Sequence, residues 1–190
     1  SSHRILSTAT HAGHGIYGEA TGKKVIYRVI ADCHAIENKI NDEWLVRDQG
    51  AIVRQLGITP VDYTRSLILA EGGPDSCLKP FNPEDDIKGP YMDRGNSNEW
   101  GKKYAAALSD IMNADFTSIR QNYDRAVLAE LPGGRTAYSY DGIDEFWMGL
   151  RASFPNAKFE VHHTIGLVEK MLSPRLSLIH ISEPTRPSRI

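Results

Sequence analysis

Residues 24–36 and 39–48 are two long β-favouring runs separated only by Glu37-Asn38, and residues 3–12 form a third run ahead of them. A two-residue break leaves no room for a crossover, so the second and third runs have to pair antiparallel. With residues 3–12 they make a three-stranded meander, one face of which must be covered. Along the third run Ile40, Asp42, Trp44, Val46 and Asp48 share one face, while Asn41, Glu43, Leu45 and Arg47 share the other. The first face is mostly apolar, yet it ends in a carboxylate beside an indole. An unpartnered acid buried there would be destabilising or would have its pKa raised. The Asp48 end of this strand is therefore the expected rim of a pocket, with an exposed acid before a turn as the alternative. Residues 49–56 follow as a short helical or extended tail, stopped by Gly57.

Composition narrows the function classes. The 190 residues carry a formal charge of -2, and the Lys and Arg residues are scattered, so no basic footprint for nucleic acid is present. Cys33 and Cys77 stand alone and outside any CxxC, which makes a reducing cytoplasm the expected location. No apolar run approaches the roughly 20 residues of a membrane span, so no membrane partner is expected.

The stretch Gly13-His14-Gly15-Ile16-Tyr17-Gly18 matches a dinucleotide-binding fingerprint letter for letter. That fingerprint must open a helix, whose N-terminus holds the pyrophosphate. Here a turn signal, Glu19-Ala20-Thr21-Gly22, leads straight into the β-favouring residues 25–30, so a glycine-rich hairpin connection is expected instead. Farther on, residues 60–69 have Pro at the start of a helical run. Residues 71–98 are broken repeatedly by Gly and Pro and are expected to be a linker. Helical spacing returns at Trp100, Tyr104, Leu108, Ile111 and Met112, and a second short helix carries Phe116, Ile119 and Tyr123. Residues 126–131 and 136–140 flank Pro132-Gly133-Gly134-Arg135 as a hairpin. A third helix is expected over residues 143–154, with Phe146, Trp147, Leu150 and Phe154 on its apolar side. A strand over residues 158–165 would then set Phe159, Val161, His163 and Ile165 on one face.

Two halves of a known pattern are present. Residues 98–166 resemble the first half of a SnoaL-like domain of the nuclear transport factor 2-like superfamily. The resemblance rests on Asn122-Tyr123-Asp124, on Gly142, and on Phe154-Pro155-Asn156-Ala157 leading into Phe159-Glu160-Val161-His162-His163. Residues 5–57 resemble the second half, through Thr10-His11-Ala12-Gly13, Gly18-Glu19-Ala20-Thr21-Gly22 and the strand from Lys39-Ile40 through Trp44 to Asp48. The implied fold is α+β, a cone of helices packed on a curved, mainly antiparallel sheet. The order of the halves is reversed relative to the family. That order implies either a window on a tandem protein or a circularly permuted single domain. In the tandem reading, residues 1–57 close one domain, 58–97 link, and 98–175 open the next. Residues 176–190, where Leu176 to Arg186 resembles the translation of a sequencing-library adapter, carry no evolved role in this reading; a frayed tail is the alternative.

SnoaL-like proteins include polyketide cyclases, which close rings by an intramolecular aldol reaction without metal or organic cofactor. The resemblance implies that Asp48 is the base, raised in pKa by an apolar surround, and that His11 donates or shuttles a proton. Trp44, His163, Trp147 and Tyr27 are the implied pocket wall, around a small hydrophobic ligand or substrate. A non-catalytic binding or dimerisation module of the same fold, including a homodimer, is the alternative. A metal site from His11, His14, Asp32, His34 and His162-His163 has no motif behind it, so no metal is expected.

Overall fold

The computed structural model describes residues 2–77, 98–161, 164–167, 171–173 and 179–180. It is a mixed helix and sheet structure whose chain divides into two compact units, one of residues 1–80 with Glu130–Thr136, the other of residues 81–129 and 137–190.

In the first unit β1 (Ser2–Thr10), β2 (Lys24–Ile36) and β3 (Lys39–Arg47) form an antiparallel sheet in the order β1-β2-β3. The β2–β3 turn is the expected Glu37-Asn38 pair, both left-handed with φ of 50° and 61°, the conformation that lets a two-residue turn follow the twist of its strands. The glycine-rich connection between β1 and β2 holds no helix and closes on a bridge between Gly15 and Gly18. Helix α1 (Gln49–Leu56) ends at Gly57, whose φ of 86° gives the left-handed stop that glycine allows without a Cβ clash. Helix α2 (Pro60–Ala70) is capped by the Thr59 side chain and starts with Pro.

The covered face of the sheet is not the one carrying Trp44. Register sets Val29 opposite Arg47, Ala31 opposite Leu45 and Asp32 opposite Trp44. The buried apolar residues of β2 are Val25, Val29, Ala31 and Cys33, so on β2 the core lies on the side opposite to Trp44, although Leu45, on that side of β3, is itself 46% exposed. Ile40 and Val46, on the Trp44 side, are 63% and 64% exposed. The side covered is chosen by α1, whose Ile52 and Leu56 pack on Val25 with Tyr17, Tyr27 and Ile58 around them. Trp44 itself is half-buried, opposite the buried Asp32.

In the second unit α3 (Glu99–Met112), α4 (Thr117–Asn122) and α5 (Ser139–Ser153) meet at Ile111, Ile119 and Ile143. The hairpin β4 (Leu128–Leu131) and β5 (Arg135–Tyr138) lies between α4 and α5 in sequence. Helix α5 starts four residues before the expected Ile143. Gly142 sits in its first turn because a Cβ there would come within 2.8 Å of the Ala137 Cβ. The strand expected over residues 158–165 is not continuous. It is replaced by β6 (Lys158–Phe159) and β7 (Ile165–Leu167), the latter paired with β8 (Met171–Ser173). Segment β6 pairs with β9 (Ile179–His180), which falls in the stretch expected to carry no evolved role.

Candidate functional site

Asp48 follows the last residue of β3 and caps α1. Its Oδ1 accepts from the backbone N–H of Ala51 at 3.0 Å and of Gly133 at 2.9 Å, and its Oδ2 accepts from Gly134 at 2.8 Å. Gly133 and Gly134 are both left-handed, with φ of 80° and 73°, which turns successive N–H groups toward one carboxylate. All these residues belong to the first unit. Partial burial pushes the Asp48 carboxyl up, but the N–H groups of Gly133, Ala51 and Gly134, together with the Arg28 charge, outweigh it and hold the pKa below its ordinary 3.8. The raised pKa expected for a base is therefore corrected. An apolar surround would raise it, and hydrogen bonds to the charged form win instead.

His11 is not on a neighbouring strand of Asp48, since β2 lies between β1 and β3. His11 donates its backbone N–H to Lys23, whereas Asp48 donates its own to Arg28. Five extended residues of β2 separate those points, roughly 16 Å. The His11 ring meets Thr21 Oγ1 through Nδ1 at 3.1 Å and stands edge-on to Tyr17, with centroids 6.3 Å apart. Its Nε2 is buried without a hydrogen-bond partner among the described residues. Tyr17 stacks on Tyr63 and donates its hydroxyl to Gln49, the residue after Asp48. Among the described residues no hydrogen bond or ion pair joins His11 to Asp48 directly.

Strand β3 ends at Arg47, opposite Val29, and leaves the first part of β2 without a strand on that side. The Gln55 carboxamide fills the ladder position. It accepts from Ile26 N–H at 2.9 Å and donates to the Ile26 carbonyl at 2.7 Å. Beside it lies a cleft of about 290 Å³ lined by Leu6, Ile26, Tyr27, Arg28, Ala51, Arg54, Gln55, Gly133 and Gly134. All nine residues lie in the first unit. Arg28 pairs through Nε with Glu130 at 3.1 Å. Of the residues expected in a pocket wall, Tyr27 is in this cleft and Trp44 is not. Arg28, Arg54 and Gln55 were missed because the sequence carries only a general signal for them, two cations and an amide near a helix and a strand edge.

Trp147 belongs to the second unit, where it packs on the Ile111–Ile119–Ile143 cluster and stands edge-on to Phe146. Burial raises the pKa of Tyr104 and of Tyr123 in the same unit, and in Tyr123 the neighbouring Trp147 and Tyr104 oppose that rise. His163 lies outside the described residues, as does His162. Among the described residues no group of three or more His, Cys, Asp or Glu side chains is placed to hold a metal, and no helix is long and apolar enough to cross a membrane.

No protein-family model, curated protein or solved structure matches this chain.

Proposed function

We propose that the chain carries pieces of SnoaL-like domains and that its strand half binds a small hydrophobic molecule without chemical turnover. The family part is supported by the element order of residues 99–159, helix, helix, hairpin, helix and strand, and by the long-stranded meander of the first unit. The binding part rests on one observation, the cleft at the open edge of β2, where Leu6, Ile26 and Tyr27 offer apolar surface beside the polar Gln55 and two arginines. Its volume is at the lower end for small-molecule sites, which suits a ligand of modest size. The cyclase reading asks Asp48 to take a proton near neutral pH. A carboxylate capping a helix and two glycine N–H groups is a weak base, so it suits a structural role better.

Titration of the isotopically labelled protein with 1-octanol tests the binding. Saturable shifts are expected in the backbone amides of Leu6, Ile26 and Ala51. Leu6 is 67% exposed, so Leu6→Glu should leave stability within about 0.5 kcal/mol while weakening octanol binding about fivefold or more. Absence of saturable shifts at these amides would overturn the proposal.

A further inference from the structure

We propose that the ligand of this cleft carries a carboxylate, held by the guanidinium of Arg54. This inference rests on the binding reading above and names the chemical class it would take. The lining holds two arginines and no acid. A neutral or cationic ligand would leave the Arg54 guanidinium without an ion-pair partner in a partly enclosed site, whereas an anion would supply one. Arg28 is already engaged by Glu130. The nearby Asp48 carboxylate is engaged by three N–H groups. Arg54 has no ion pair and no side-chain hydrogen bond among the described residues, and its planar fork presents five N–H donors.

A cation in the last turn of a helix commonly serves the carbonyl end of that helix. Two observations argue against that role here. Lys23 Nζ already donates to the Leu56 carbonyl at 2.6 Å, so the end of α1 has its cation. Arg54 also runs the other way, toward the start of α1. Its Nη1 lies 3.4 Å from where a Cβ on Gly50 would stand and 2.3 Å from where one on Gly133 would stand. Only glycine at 133 leaves room for the guanidinium in that place. The result is a fork seated over the Gly133 backbone, facing a cleft with aliphatic walls. An aliphatic carboxylate matches both, its head on Arg54 and its chain along Leu6 and Ile26.

The test compares octanoate, 1-octanol and octylammonium at pH 7 by amide shifts of the full chain, with Arg54→Gln as the variant. Octanoate is expected to bind about tenfold or more tightly than octanol, octylammonium more weakly than either, and the octanoate preference to fall with added salt. Arg54→Gln should abolish the preference, so that octanoate and octanol bind alike, with Arg54→Lys restoring part of it. Equal affinity for octanoate and octanol at the Leu6, Ile26 and Ala51 amides would overturn the carboxylate proposal and leave the cleft reading standing. So would a preference that survives Arg54→Gln. Failure of both probes to shift those amides would overturn the cleft reading and this inference together.

Discussion

Asp48→Ala is expected to destabilise the first unit by about 2–4 kcal/mol. The side chain caps α1, a contribution of about 1 kcal/mol, and it accepts two further N–H groups as a charged acceptor, each bond worth about 1.5–3 kcal/mol before water replaces part of it. Asp48→Asn keeps the cap but sets an amide NH2 against a glycine N–H, so it should cost less than the alanine change and still be measurable. The pH dependence has a definite sign. The folded pKa is lowered, so the charged form is favoured in the folded protein and the contribution is complete above the ordinary value of 3.8. It is lost as the pH falls below that value and through the lowered folded pKa. The stability gap between the wild type and Asp48→Asn, followed by urea unfolding, should therefore close on acidification. A gap that stays constant into strong acid, or an alanine variant within about 0.5 kcal/mol of wild type, would show that water serves the glycine N–H groups equally well.

Ile111→Ala should lower the stability of the second unit by about 2–5 kcal/mol, the range for removing three methyl-sized groups from a packed site. Ile111 is 0% exposed and meets Ile119 and Ile143 from two other helices, so collapse around the gap would have to move three elements together. Ile111→Val should cost only about 0.5–1.5 kcal/mol. Leu128, 55% exposed in the hairpin, provides the contrast, and Leu128→Ala should change stability by about 0.5 kcal/mol or less. Urea midpoints at constant slope would measure all three. A loss for Ile111→Ala no larger than for Leu128→Ala would mean that the three isoleucines do not form the core of this unit.

Much of the element order was legible in the residues because it follows from short-range rules. The alternation of Lys24 to Ile36, the turn at Glu37-Asn38, the stop at Gly57 and the helical spacing from Trp100 to Met112 each concern neighbours within a few positions. The failures came where a short run had to choose among distant partners. Residues 158–165 alternate well enough for one strand, but pairing divides among β6 with β9 and β7 with β8. The Asp that precedes Gln49-Gly50-Ala51 also carried an N-cap signal, which the strand parity of Trp44 overshadowed.

By itself the sequence determined that three antiparallel strands lead into a short helix, because each strand, turn and cap is specified by the side chains that form it. It also determined that glycines stand at residues 133 and 134, where left-handed backbone is needed. Which face of the sheet is covered was decided only in three dimensions, by the packing of Ile52 and Leu56 on Val25. The charge state of Asp48 was decided there too. Two of its three N–H partners are 85 and 86 residues away, and no local pattern around Asp48 can state whether a distant turn will bring two N–H groups to it or an apolar wall. The cleft beneath Arg54 has the same origin, a space left where β3 ends and the Gly133 backbone lies bare, set by how elements meet and not by what any one of them contains.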